Sequence, residues 1–410
     1  MKNLLILGAG TSGTMMANHL RPKLKKQEWN ITIVDQYKTH YYQPGFLFLP
    51  FDIYTESQVK KVSKKFIPKG VTYIQKKINQ IFPDENKVEL EDATLTYDIL
   101  IIATGSKTAP EEVEGMKGKN WYKNIFDFYT YEGALALRNR LRTWEGGKLV
   151  VHITEMPIKC PVAPLEFAFL ADTYFTKKGM RDKVEITYVT PLGGAFTKPK
   201  ATKELSYLLE EKNIKLETDF AIERIDNDTN KIVDYGEKEI GFDLLVTVPT
   251  NMGDELIERS GMGDDLNFVP TNKSTLQSDA HKNIFVIGDA TNLPASKAGS
   301  VAHFQAETLT DNILLFIEDK PLKEEFDGHA NCFIETGNNK ALLIDFNYNQ
   351  EPVKGTFPIA GIGPLKLLKE SVLNHWGKLA FRWIYWNMLL KGIPIPFVGR
   401  NMSIKGKQIT

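Results

Sequence analysis

Apolar residues along this chain gather in short unbroken runs that end on small residues, and between the runs they recur three and four positions apart. Residues 3–7 (NLLIL) are such a run, closed by Gly8-Ala9-Gly10-Thr11-Ser12-Gly13 and followed by the helical pattern TMMANHL. Similar runs stand at 31–35 (ITIVD), 97–106 (YDILIIATGS), 148–153 (KLVVHI), 184–191 (VEITYVTP), 243–249 (DLLVTVP) and 283–290 (NIFVIGDA). Wholly apolar runs of this length predict strands covered on both faces, as in parallel sheets. Helical spacing predicts helices over 163–174, near 200–212 and from about 301 to 316. Alternation is confined to strands around 71–81 and 87–95, with PDEN at 83–86 as a hairpin signal. The fold class is α/β.

Length and composition narrow this. A chain of 410 residues exceeds one ordinary core, and at roughly 150 residues per domain two or three are expected. The 51 basic and 51 acidic residues balance to +0, which argues against nucleic acid as main partner. The basic stretch 60–65 reads as a solvated face. Two cysteines exclude a disulfide scaffold and a Cys-rich metal site, leaving an intracellular chain or a redox enzyme with one pair. The start MKNLLILGAG flows into the glycine turn and reads as a first strand, not a leader. No run of ~18 apolar residues suggests a membrane-crossing helix.

Strand, glycine turn and helix start together form a pyrophosphate site, with Gly8, Gly10 and Gly13 as its fingerprint. Asp35 ends the second strand 22 residues after Gly13, where its carboxylate can accept ribose hydroxyls. Small residues at Thr104 and Gly105 let backbone approach a cofactor, and a late apolar strand ends in Gly288-Asp289. The aromatic turn at 40–45 owes Pro44 and Gly45 to turn geometry, but such a loop can also lie against a flat ring. This set resembles the two-dinucleotide-domain flavoproteins. The resemblance implies non-covalent FAD held by Gly8, Gly10, Gly13, Asp35, Thr104, Gly105, Gly288 and Asp289, with Pro44 and Ile78 as further contacts. It also implies a split FAD domain (1–110 and 270–325) around an inserted Rossmann-like domain (111–269), followed by a C-terminal region (326–410).

The insert's first strand, 148–153, runs in pyridine-nucleotide-dependent relatives into a second glycine turn. Here Thr154-Glu155-Met156-Pro157-Ile158-Lys159-Cys160-Pro161 follows, with no glycine, two prolines lacking N–H donors and an added carboxylate. An NADH site is not expected. Cys160 precedes the predicted helix, whose N-terminal dipole should favour thiolate, and Glu166 follows six residues on. A lone Cys is more often a small buried apolar residue, and local sequence leaves that reading open for Cys332.

KCPVAPLEF around Cys160, SKAGS after Gly288-Asp289, GHANCF around Cys332 and KESVLNHWGKLAFRWIYWN near the C-terminus resemble sulfide:quinone oxidoreductases over essentially the whole chain. That resemblance implies Cys160 and Cys332 as a redox pair beside FAD, with Glu166 moving protons. It implies hydrogen sulfide as donor and a membrane quinone as acceptor. Sulfide would open a disulfide or sulfur-bridged pair, leaving a persulfide and a thiolate, with two electrons passing to FAD. Many members carry a third cysteine upstream that can tether FAD; this chain has none there.

Val372, Leu373, Trp376, Leu379, Ala380, Trp383 and Ile384 recur at helical spacing, with Lys366, Lys369, Lys378, Arg382 and Lys391 interspersed. Docking on the protein's own core would explain the pattern alone. With the resemblance, 364–400 becomes a monotopic anchor, peripheral at the cell membrane on an unspecified side, opening onto a quinone pocket. Phe333, Phe346 and Phe381 would then flank the quinone, Lys378 would polarise a carbonyl near FAD, and a homo-oligomer stays open. A type II NADH dehydrogenase would need the missing glycine turn. A flavocytochrome-type sulfide dehydrogenase would not need the aromatic tail, and a non-enzymatic flavin module leaves the cysteines unexplained.

Overall fold

The computed structural model describes residues 1–408. The first run forms strand Lys2–Leu7 at the centre of a five-stranded parallel sheet. In space the order is Ile284–Val286, Ile99–Ile102, Lys2–Leu7, Trp29–Val34, Thr72–Ile74. The central strand therefore has a neighbour from a distant part of the chain on one side and the next strand on the other. The C-terminal ends of strands at such a reversal form a crevice for a nucleotide. Leu4, Leu5, Ile6 and Leu7 are all buried because both sheet faces are covered.

A second five-stranded parallel sheet has the order Ile125–Phe126, Leu244–Val248, Gly147–Ile153, Val184–Val189, Ile214–Glu217. The chain enters and leaves this part through two segments that pair antiparallel, Ser106–Ala109 with Thr250–Gly253. It rejoins the first part earlier than residue 270: Leu256, Ile257, Met262 and Val269 pack in one cluster with Leu5, Leu7, Val34 and Ile102. The expected hairpin forms from Ile78–Phe82 and Lys87–Leu90, with Asn86 left-handed at its turn.

The remaining chain builds a four-stranded sheet from Ala330–Gly337, Lys340–Phe346, Gly363–Leu367 and Gly355–Ile359, with helix Val372–Asn387 across it. Strand Ala330–Gly337 lies against helix Ala163–Lys177 of the insert. Helix Gly299–Ile317 packs beside helix Thr11–Leu20. One continuous apolar core joins all three regions. No helix among the described residues is long and apolar enough to cross a membrane.

Candidate active site

The glycine turn is organised by close approach. A Cβ on Gly8, at φ +98°, would meet the Ala103 carbonyl oxygen at 2.4 Å, and one on Gly13 would meet the Gly8 carbonyl oxygen at 1.9 Å. Gly10 differs, since a Cβ there would meet nothing within 4 Å. Helix Thr11–Leu20 begins at this open position with no side-chain cap and no acidic residue in its first turn. Its leading N–H groups are thus available to an anion. Asp35 braces the turn, accepting the Ala9 N–H at 2.6 Å and the Tyr37 N–H at 2.8 Å; burial raises its pKa. The Thr104 hydroxyl is buried without a partner among the described residues, beside the open Gly105 at φ +73°. An open phosphate turn, an unsatisfied hydroxyl and a small-residue wall fit the diphosphate and ribose portions of FAD.

A single cavity continues from this turn. Its walls include Thr11, Pro44 and Ala103 from the first part, and Cys160 and Glu166 from the insert. Asp289, Cys332, Phe333, Lys378 and Phe381 complete it. Two thiols separated in sequence by most of the insert and the last strand of the first sheet thus share one space. Ile78 does not reach it; it pairs with Leu90 in the hairpin sheet. Phe346 also stays outside the wall, buried at a strand end with Lys198 over its ring.

Cys160 is held by backbone bonds. Its φ is +44°, the left-handed region that a side chain normally avoids at a cost of about 1–2 kcal/mol. Its N–H donates to the Lys297 carbonyl at 2.7 Å, and its carbonyl accepts from the Ala163 N–H at 2.9 Å and the Tyr129 hydroxyl at 3.2 Å. Lys297 is fixed in turn, its Nζ donating to the Asp289 and Thr291 carbonyls at 2.9 and 2.7 Å, with its charge 3.8 Å from the Phe268 ring centre. Burial lowers its pKa to about 8. Neither this lysine nor the Tyr129 bond carried a sequence signal beyond the SKAGS stretch.

The expected thiolate at Cys160 does not form in this environment. Burial, then the Glu166 carboxylate, push the thiol up to about 12, while Lys378 acts in the opposite direction. The same burial raises Cys332, and the charge of a Cys160 thiolate would raise it further. Desolvation outweighs the end of a helix that begins three residues later at Ala163. Both cysteines are free thiols here.

Beside them lies a buried ion pair. Lys378 Nζ donates to Glu166 Oε1 at 2.6 Å and to the Phe333 carbonyl at 2.9 Å. The Glu335 N–H also donates to Glu166 Oε1, at 2.7 Å. Burial opposes the charge on Lys378, but the Glu166 carboxylate holds its pKa above the usual lysine range. A cation between a carboxylate and two thiols can stabilise whichever sulfur becomes negative.

The tail helix closes the cavity and is tied to the glycine turn. The Ala9 carbonyl can only accept, so His40 Nδ1 donates to it at 3.2 Å, leaving Nε2 to accept the Tyr385 hydroxyl at 2.6 Å. Burial lowers His40 to about 4, which keeps the ring neutral. The Thr11 hydroxyl then donates to the Tyr385 oxygen at 2.7 Å.

Residues 2–151 match the family described as pyridine nucleotide-disulphide oxidoreductase. The mouse mitochondrial sulfide:quinone oxidoreductase is 28% identical over 397 residues, covering 95% of this chain and 86% of that protein. A type II NADH:quinone oxidoreductase of Staphylococcus aureus is 24% identical, covering 88% and 97%. The crystal structure of the Aquifex aeolicus sulfide:quinone oxidoreductase superposes with a TM-score of 0.80 at 21% identity, covering 96% of this chain and 92% of that one. Over nearly its whole length the chain resembles proteins of this kind.

Proposed function

We propose that this chain, a relative of the sulfide:quinone oxidoreductases, is an FAD-dependent enzyme that oxidises hydrogen sulfide and reduces a membrane quinone. The observation that carries the reading is the meeting of Cys160 and Cys332 in one cavity with the nucleotide turn and the tail helix. The NADH alternative is disfavoured by the segment after strand Gly147–Ile153. There Pro157 and Pro161 offer no N–H, and the Glu155 carboxylate accepts the Thr250 hydroxyl at 2.6 Å.

In the oxidised state the two cysteines are joined, directly or through sulfur. Hydrosulfide attacks one of the bridging sulfur atoms and the bond to its partner breaks, leaving a persulfide on one cysteine and a thiolate on the other. Lys378 stabilises that thiolate. Bound FAD supplies the two-electron link between this sulfur chemistry and the quinone. Gly8, Gly10, Gly13, Asp35, Thr104, Gly105, Gly288 and Asp289 would hold it, without a covalent tether. Phe333 and Phe381, on the wall beside Lys378, are suited to flank a quinone ring. Overall HS⁻, quinone and one proton give sulfane sulfur and quinol.

The tail helix supports peripheral membrane attachment. Its docked face carries Asn374, Lys378, Tyr385 and Trp386, whereas Val372, Leu373, Trp376 and Trp383 point outward, the two tryptophans 60% and 62% exposed. An apolar stripe turned away from the protein suits a bilayer interface. Anaerobic mixing of the purified holoenzyme with sulfide should bleach the oxidised flavin absorbance, and a short-chain quinone should restore it. Cys160→Ala and Cys332→Ala should each retain FAD and lose rapid bleaching. Bleaching by NADH but not by sulfide would overturn the reading.

A further inference from the structure

Hydrosulfide releases one proton on oxidation to sulfur, and a quinone takes up two on reduction, so each turnover draws one proton from solvent. The Lys378–Glu166 pair that meets the cavity is sealed: Glu166 is 0% exposed and Lys378 8%. Oε2 of Glu166 has no partner among the described residues. A path to water begins one residue position away. Glu335, whose N–H binds Glu166, turns its own carboxyl to the tail helix, where His375 Nδ1 lies 2.9 Å from both oxygens. Glu335 is fully buried, but His375 keeps part of its ring open, and it sits one helical turn before Lys378.

The charged groups that act on the pair come from several elements. Glu166 approaches Glu335 from helix Ala163–Lys177; His375 and Lys378 approach from the tail helix; Tyr54 feels its charge from the first part; Lys177 acts on His375. Burial moves both partners away from charge. It raises Glu335 to about 8, against Lys378 and with Glu166, and it lowers His375. The resting pair is therefore a carboxylic acid whose carbonyl oxygen accepts the Nδ1–H of a neutral imidazole, leaving Nε2 unprotonated.

We propose that His375 and Glu335 form the inlet through which the solvent proton consumed in quinone reduction reaches the Lys378–Glu166 pair. This rests on the sulfide:quinone reading. The imidazole takes a proton at its open nitrogen and passes one from Nδ1 to the Glu335 carboxylate. Glu335 passes its own proton inward to Lys378 after that ammonium has given one to the reduced quinone. No hydrogen bond spans Glu335 and Lys378, so water carries the inner transfer. Both residues act through Lys378 and are positioning residues, not catalytic ones.

The test separates the half-reactions of the holoenzyme by stopped flow, with a pH-indicator dye reporting proton uptake. Glu335→Gln should bleach with sulfide at the wild-type rate, then reoxidise with quinone about 100-fold more slowly, proton uptake slowing in step. The wild-type reoxidation rate should fall as pH rises through about 8, and the variant should lose that inflection. His375→Ala should show the same defect and be rescued by added imidazole. Infrared titration of the resting protein should show a protonated-carboxyl band that disappears near that pH and is absent from Glu335→Gln. Unchanged reoxidation and infrared spectra in Glu335→Gln, or equal loss of both half-reactions without imidazole rescue, would overturn the inlet. Failure of the wild type to bleach with sulfide would instead overturn the function on which it rests.

Discussion

The two glycines Gly10 and Gly13 do different jobs three residues apart. A Cβ on Gly13 would lie 1.9 Å from a backbone oxygen, so Gly13→Ala should lower apoprotein stability by several kcal/mol, about 3 or more, seen in chemical denaturation. Gly10→Ala has room in the protein alone and should unfold like the wild type while binding FAD more weakly, measured by flavin fluorescence on titration. Glu335 gives a pH signature. Its carboxyl is raised from 4.5 to about 8, so the stability it contributes is full below 4.5 and is lost as pH rises to about 8. Glu335→Gln should remove that decline, with the gap in Tm between variant and wild type widening from pH 5 to pH 9. Cys160 and Cys332 were legible because the chain has only two cysteines and both lie in recognisable stretches. Glu335 and His375 were not, because a buried carboxylate in an apolar strand and one histidine on a helix have no telling spacing; only the fold brings them together. Phe346 was carried over by resemblance as a quinone contact, and nothing local could show that its strand keeps it off the cavity wall.

Among the elements, the buried parallel strands were the clearest in sequence. The runs at 3–7, 148–153 and 184–191 became Lys2–Leu7, Gly147–Ile153 and Val184–Val189, since unbroken apolar runs have few other places to go. The tail helix was legible as amphipathic but not in its orientation. Periodicity gives a stripe without saying which side meets the protein, and Asn374 and Lys378 face inward because the Lys366 and Lys369 carbonyls and Glu166 await them. Trp376→Ser with Trp383→Ser should therefore leave unfolding within about 0.5 kcal/mol of wild type, as surface changes do. The same variant should lose sedimentation with phospholipid vesicles.

Over the whole molecule the charge is zero, yet residues 371–410 contain six basic residues and no acidic one. Lys61 and Lys65, expected as part of a solvated face, join Arg382 and Lys391 in one electrostatic cluster; burial and then these three cations lower the pKa of Lys61. Lys61 lies over Trp386 and Arg382 over Tyr54, and none of the four has an acidic partner among the described residues. Replacing all four by Gln should weaken binding to anionic vesicles by about 1 kcal/mol per charge, an effect that added salt should erase in the wild type. Binding to uncharged vesicles should change little. Sequence did not show this collar, because its members come from distant stretches of the chain.

The central sheet also sets an order in time. Strand Lys2–Leu7 is made well before the sheet's far edge, Ile284–Val286, and before the hydroxyl of Tyr385 that bonds Thr11. An emerging chain therefore carries an open strand edge while the intervening residues are made, a condition that exposes nascent proteins to aggregation. The cofactor turn cannot receive its last wall until the tail helix has been made.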